Sequence, residues 1–503
     1  MQRTRLIATT LAISLALAAC TDAARGPATR PAAESARRMV GRIPFEPCAL
    51  SGVLDAQTRN GLCGTLQVPE DPAKPSGRKI GLRIAWLEAG DKGEPAGDPV
   101  FFLAGGPGQA ASDYAATIAQ ALRDVLKTHH VFLIDQRGTG KSAPLDCPEA
   151  LKDRFKDRDD VASIGEYAQL CAAAQKNDPR LFTTTQAVED LDTVRKALGA
   201  QQIDLVGVSY GTRVAQQYAM RYPAQTRAVV LDGVLPNDVA AGGEFARAFE
   251  RTLVLRDKAC AADPACRKRY PQDLRTQLET LKQRLSTAPV EVEYRDPATG
   301  EAKRDRLTSQ TVVGLTQMFS YMPQAAALLP VVIDEAVHER YGPLMALASM
   351  GGESMAGSMN RGMQWSVICA EDADRYVPNP ADAKTALGND MAGLFFAACK
   401  GWPKGARPAD FPKPLAGNVP VLLMSGELDP VTPPEYAARV AKTLPNSRAV
   451  VLRGQGHNVM GIGCMPKLIG QFIESANAKA LDTKCLASVA PVPPFTSFNG
   501  WEP

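Results

Sequence analysis

Ile203-Asp-Leu-Val-Gly-Val-Ser209-Tyr-Gly-Thr-Arg213 is the stretch on which the rest of the chain turns. An apolar run over 203–208 ends in Gly207-Val208-Ser209-Tyr210-Gly211, and an amphipathic stretch over 214–222 follows. That pattern predicts a strand, a sharp turn and a helix. A residue at such a turn has a strained backbone, and its neighbours two positions away must lack bulk, hence Gly207 and Gly211. The turn lifts the Ser209 hydroxyl above the sheet edge. It also aims the helix N-terminus, led by the Tyr210 amide, at the place where an oxyanion would form. Ser209 therefore reads as a nucleophile; the plain alternative is a glycine-rich strand-to-helix turn.

On the N-terminal side of this turn, 61–68 and 79–89 read as strands separated by Glu70-Asp-Pro-Ala-Lys-Pro-Ser-Gly77. Residues 99–103 form a short continuous apolar run, as in a strand buried on both faces. Gly105-Gly106-Pro107-Gly108 follows, then a helical stretch to 127, a strand over 130–135 and a helical excursion over 164–176. Val188, Leu191, Val194 and Leu198 have the spacing of a helix lying on a sheet. Another strand covers 226–231. Strands alternating with helices predict a mostly parallel, doubly wound α/β sheet, because parallel neighbours need helical crossovers.

From 237 to 402 the alternation stops. Helical patterns and one hairpin over 290–307 predict an inserted, mainly helical lid, so the core divides into 46–236 and 403–503. Residues 419–424 and 447–452 resume the sheet around a helix over 435–444. The proline-rich tail after 489 is expected to pack as irregular chain.

A serine hydroxyl needs a base, and in the chain order serine, acid, histidine the base lies in the loop after the last strand. His457 is there, in a loop opened by Gly454 and Gly456. His129 and His130 begin a strand, and His338 lies in the lid. The acid is expected after the preceding strand, where Ser425-Gly-Glu-Leu-Asp429-Pro430 supplies Asp429 to hold the His457 tautomer. Asp232 competes for that role, Glu427 less strongly, and the plain reading of Asp429 is a helix cap. The Gly106 amide is the second oxyanion donor, aimed at the site if the Gly106–Pro107 bond is cis.

Two rival motifs fail. Gly106-x-Gly108-x-x-Ala111, with Asp135 ending the next strand, imitates a dinucleotide fingerprint, but it has proline in the turn and a triad downstream. Gly140-Lys141-Ser142 is no phosphate loop, because Asp135 stands where that motif needs glycine.

The 503 residues carry a formal charge of +3, with Arg3 and Arg5 included, and no basic stripe, so nucleic acid is not an expected partner. Arg3 and Arg5 precede an apolar run ending Leu17-Ala-Ala-Cys20, too short for a retained span. It resembles a bacterial lipoprotein leader, which implies removal of 1–19, lipid on Cys20, and anchoring to the cell envelope facing periplasm or exterior. Residues 20–45 read as a flexible tether. Ten further cysteines fall into neighbouring pairs, and export predicts the disulfides Cys48–Cys63, Cys147–Cys171, Cys260–Cys266, Cys369–Cys399 and Cys464–Cys485. Without a C-x-x-C pair or histidines beside the cysteines, no metal site is expected.

Leu103-Ala-Gly-Gly-Pro-Gly108, Asp135-Gln-Arg-Gly-Thr-Gly-Lys-Ser142, Gly207-Val-Ser-Tyr-Gly211, Leu231-Asp-Gly-Val234, Gly426-Glu-Leu-Asp-Pro-Val-Thr-Pro433 and Gly456-His457 resemble the secreted tripeptidyl aminopeptidase and prolyl iminopeptidase group of α/β-hydrolases. The resemblance runs from about residue 63 to 485. It implies a cofactor-free serine exopeptidase acting on peptides with a free N-terminus. Many relatives have histidine before Gly-Gly-Pro-Gly, where this chain has Ala104. Such an enzyme must bind an ammonium group, which suggests Glu371 and Asp372, held by a Cys369–Cys399 bridge, against the plain reading of a solvated helix start or cap; Trp365 nearby reads either as an apolar wall or, as a single aromatic more often is, as core. The alternatives are an exported esterase or lipase with the same triad, and a dead hydrolase used as a binding lipoprotein, which would need a broken triad.

Overall fold

The computed structural model describes residues 37–52, 57–90, 97–155, 158 and 160–500, and for 352–357 the backbone alone. The leader, Cys20 and most of the expected tether lie outside the described residues. Among the described residues twelve strands are formed: β1 (Arg38–Val40), β2 (Ile43–Leu50), β3 (Arg59–Pro69), β4 (Lys79–Leu87), β5 (Val100–Leu103), β6 (Val131–Ile134), β7 (Ile203–Val208), β8 (Thr226–Asp232), β9 (Val290–Arg295), β10 (Ala302–Leu307), β11 (Val421–Gly426) and β12 (Ser447–Leu452). Ten of them make one sheet in the order β1-β2-β3-β4-β6-β5-β7-β8-β11-β12, while β9 and β10 pair as a separate hairpin. The run from β6 to β12 is parallel, and β1 to β4 add an antiparallel edge that joins it through β4 and β6.

The parallel strands explain their own sequences. Residues of β5, β6, β7 and β11 are buried throughout, so both faces carry apolar side chains. Alternate residues feed two cores. Phe101, Leu103, Leu205 and Leu231 face one layer, and Phe102, Val206, Val208 and Val230 the other. Helix Thr184–Leu198, closed by Gly199 at φ 79°, leads the chain into β7, and helix Tyr210–Arg221 carries it away.

Three expectations are corrected. The tether ends earlier than residue 45, because β1 and β2 already occupy 38–50. The prolines at 44 and 47 argue against a strand, but each has a neighbouring strand on one side only, Pro44 facing β1 and Pro47 facing β3, and proline is tolerated at such an edge. The lid is also shorter than 237–402. Phe249, Leu278, Leu307, Val312 and Ile333 form a core of their own, as an insertion should. Met363, Trp365, Ile368, Ala398 and Trp402, however, join the core of the sheet. Helix Arg361–Glu371 is buried from Gly362 onward, which makes it an interior helix of the main body. Trp365 packs edge-on to Tyr167 and Trp402 there, so it is core and not a substrate wall.

All five predicted disulfides are present. The tail runs irregularly over the lid, where Phe495 N–H donates to the Ala327 carbonyl at 2.8 Å and Tyr270 donates its hydroxyl proton to the Phe495 carbonyl at 2.7 Å.

Candidate active site

Ser209 stands between β7 and helix Tyr210–Arg221 with φ 56° and ψ −123°, a region that a residue with a side chain enters only under constraint. The constraint is close packing. A Cβ on Gly207 would come within 2.4 Å of the Gly211 carbonyl, and one on Gly211 within 2.2 Å of the Leu103 carbonyl. Ser209 N–H donates to the Asp232 carbonyl at 2.8 Å, which ties the turn to the end of β8. Gly105 lies against the nucleophile, since a Cβ there would stand 3.0 Å from the Ser209 Cβ. The Gly106–Pro107 bond is cis, and Gly106 has φ 108°. Asp135 pins the far side of this loop, accepting from the Ser112 amide at 2.8 Å and its hydroxyl at 2.9 Å.

The imidazole is held from several sides. His457 Nδ1 donates to Asp429 Oδ2 at 2.7 Å, with Asp429 fully buried. The other Asp429 oxygen accepts from the amides of Val431 at 2.9 Å and Thr432 at 2.8 Å. The Thr432 hydroxyl lies 2.8 Å from Asp429 Oδ2 and 3.1 Å from His457 Nδ1. From the lid, Tyr321 accepts the His457 backbone N–H at 2.8 Å and sets its ring edge-on, 5.2 Å from the imidazole centroid. Burial lowers the imidazole pKa, but the charge and hydrogen bond of Asp429, with Asp232 behind, outweigh it and leave His457 above its ordinary value.

The two competing acids serve the same loop without touching the ring nitrogen. Asp232 accepts from the amides of Val459 and Met460 just after His457, at 2.8 Å for the shorter bond to each. Burial pushes its carboxyl up to about 7. Glu427 accepts from the Gly454 amide at 2.8 Å, just before His457. Ser209 and the His457 loop are thus both fastened to Asp232, one by its backbone and the other by its side chain. A Cβ on the next residue, Gly233, would come within 3.0 Å of His457 Cε1. Serine, acid and histidine therefore stand over the carboxyl ends of the adjacent strands β7, β8 and β11, where open α/β sheets place ligands.

Glu371 and Asp372 are corrected. Both are fully buried and engaged inside the fold. Glu371 accepts from the Thr184 amide and hydroxyl at 2.7 and 2.8 Å. Asp372 pairs with Arg213 at 2.9 Å and Arg375 at 2.7 Å. A carboxylate with such partners loses more by leaving them than a substrate ammonium at the surface returns. Thr432 and Tyr321 were missed by sequence reasoning. Thr432 carries a weak signal in Asp429-Pro-Val-Thr432; Tyr321 acts largely through its carbonyl, which leaves no side-chain signature.

One open cleft, about 600 Å³, is lined by Glu70, Lys74, Arg78, Asp178, Arg180 and their neighbours, and includes none of the three catalytic candidates. Its charges already pair with one another, as in Arg78–Glu70 and Arg180–Asp178.

Serine protease Hip1 of Mycobacterium tuberculosis is 25% identical over 484 residues, covering 88% of this chain and 91% of that protein. The tripeptidyl aminopeptidase of Streptomyces lividans is 25% identical over 515 residues, 91% of this chain and 89% of that one. The proline iminopeptidase of Neisseria gonorrhoeae is 30% identical over 168 residues, 32% of this chain and 42% of that one. Residues 98–255 match the family described as alpha/beta hydrolase fold, and residues 384–485 the family described as TAP-like protein. The first stretch contains Ser209 and the second Asp429 and His457: the chain has the α/β-hydrolase fold, and its C-terminal part is similar to the TAP-like family.

Proposed function

We propose that the protein is an exported serine peptidase that cleaves peptides from a free N-terminus through Ser209, His457 and Asp429. His457 takes the proton from Ser209 as its oxygen attacks the acyl carbon. The amides of Tyr210 and Gly106 meet the oxyanion, the imidazolium protonates the leaving amine, and water repeats the sequence on the acyl-enzyme. No metal or cofactor takes part. The observation that carries this reading is the Asp429–His457 hydrogen bond of 2.7 Å at the strand end beside the strained Ser209 turn. Support for peptides as substrates comes from the serine protease and aminopeptidase relatives.

Ser209→Ala should abolish both peptide release and fluorophosphonate labelling while leaving the circular dichroism spectrum unchanged; turnover in that variant sinks the mechanism. The interior position of Glu371 and Asp372 keeps ester hydrolysis by the same triad as a second reading. Matched peptides with free and acetylated N-termini separate the two, because an aminopeptidase rejects the acetylated set.

Anchoring through a lipid on Cys20 is part of the same proposal. Support comes from the sequence of the leader and from ten cysteines joined in five disulfides, a pattern of oxidising compartments. Cys20→Ala should release the protein from membranes; unchanged membrane association refutes the anchor.

A further inference from the structure

Helix Arg361–Glu371 reaches both walls of the catalytic centre. At its start, Asn360 N–H donates to the Gly108 carbonyl at 2.8 Å, and a Cβ on Gly108 would come within 2.5 Å of the Asn360 carbonyl. That end presses on the loop carrying Gly106. At its other end, Glu371 Oε1 accepts from the Thr184 amide at 2.7 Å and Glu371 Oε2 from the Thr184 hydroxyl at 2.8 Å. The Thr184 hydroxyl oxygen lies 2.6 Å from the Tyr210 hydroxyl. With Glu371 ionised, Thr184 gives it its one hydroxyl proton, so Tyr210 donates to Thr184. The chain Tyr210 to Thr184 to Glu371 therefore runs in one direction and is buried along its whole length.

Tyr210 immediately follows the nucleophile, and its amide is one of the two oxyanion donors. We propose that Glu371 is a positioning residue: acting through Thr184, it fixes the Tyr210 side chain and with it the helix turn that presents the Tyr210 amide to the oxyanion. The inference rests on the serine-hydrolase reading above. Glu371 touches no substrate; it locks a side chain whose backbone does the work, as supporting hydrogen bonds do elsewhere for groups that must hold to a fraction of an ångström. Burial, and after it the charge of Asp372, push the Glu371 carboxyl up to about 7, while Arg213 and the Thr184 donors oppose them. Where the carboxyl is ionised, these partners are what stabilise its charge in an apolar interior. The Cys369–Cys399 bridge fastens the same helix two residues before Glu371.

Outright loss of an oxyanion donor costs about 10²–10³ in kcat, so a donor merely loosened should cost less, about tenfold. Thr184→Val, nearly the same shape, should lower kcat on a peptide substrate about tenfold and leave KM within about twofold. Thr184→Ser, which keeps the hydroxyl, should restore kcat to within about twofold of the parent. Tyr210→Phe removes only the far oxygen and carries the test if the valine variant does not fold. Combined with Thr184→Val it should lose no more than the worse single change, because both cut one chain. Parent-like kcat in both Thr184→Val and Tyr210→Phe overturns the proposal. So does a rise in KM at constant kcat, a serine variant as poor as valine, or losses that multiply. Fluorophosphonate labelling run to completion keeps the two levels apart: a parent that neither labels nor turns over means the hydrolase reading has failed, and not the role of Glu371.

Discussion

Asp429 and Asp232 follow or end neighbouring strands, are fully buried, and lie on either side of His457, yet they are bound to different things. Asp429 takes two backbone amides, the Thr432 hydroxyl and the imidazole of His457. Asp232 takes backbone amides alone, those of Val459 and Met460. Residue type and burial are the same, so neither selects the acid of the proposed triad. What selects it is the turn after β11, which Pro430 bends so that the carboxylate of Asp429 faces the ring and Thr432 returns to bridge the pair.

The largest expected effect tests that division directly. Asp429→Asn replaces an acceptor by an amide that favours the wrong imidazole tautomer, and kcat should fall about 10⁴-fold. Asp232→Asn keeps one oxygen for the loop amides and should stay within about 30-fold of the parent, through a looser His457 loop. Equal losses would erase the distinction between the two aspartates. A smaller effect sharpens it: Thr432→Val removes a hydroxyl shared by Asp429 and His457 and should lower kcat about tenfold, with Thr432→Ser recovering most of it. All four variants are read as kcat on one peptide, normalised to the fraction that labels with fluorophosphonate.

The proposed triad was legible because each member follows an apolar run and a turn rich in glycine or proline, so its place on the sheet was set before any side chain was considered. Glu371 shows where that kind of reading ends. Cys369-Ala-Glu371-Asp372 looks like an exposed acidic helix end, but Glu371 finds Thr184 across 187 residues and Asp372 finds Arg213 across 159. Partners that distant leave no trace in the local pattern, which shows only unpaired charge. The same holds for the lid boundary. The helical periodicity of 361–371 is that of any helix, and whether it belongs to the lid or to the sheet depends on side chains gathered from β5, β7 and β8. β2 was hidden for the opposite reason: its prolines give a strong local signal against strand, overridden by its position at the edge of the sheet.

The pH dependence of catalysis follows from the Asp429 side of the comparison. The base must be neutral to accept the Ser209 proton, and His457 titrates above its ordinary 6.5 because Asp429 and Asp232 outweigh its burial. The acid limb of kcat/KM should therefore lie above pH 6.5, and removing the Asp429 charge should move it to lower pH. A parent limb below 6.5 would mean that the imidazole does not feel these two carboxylates.

The smallest effect belongs to Asp232 and concerns stability. Burial raises its folded pKa to about 7, against an ordinary value of 3.8. Between those values the folded protein binds a proton that the unfolded chain releases, so the contribution of this group to stability is complete below pH 3.8 and is lost as pH rises to about 7. Asp232→Asn cannot ionise and lacks that loss. The variant should gain on the parent as pH rises from 4 to 7, by about 2 °C or more in melting temperature, and the gap should stop growing above that range. His457 titrates in both proteins and cancels to first order in the difference. Parallel melting curves across that window would show that the loop amides of Val459 and Met460 stabilise the carboxylate as well as water does, and Asp232 would then be held charged, as an ion and not as a buried acid.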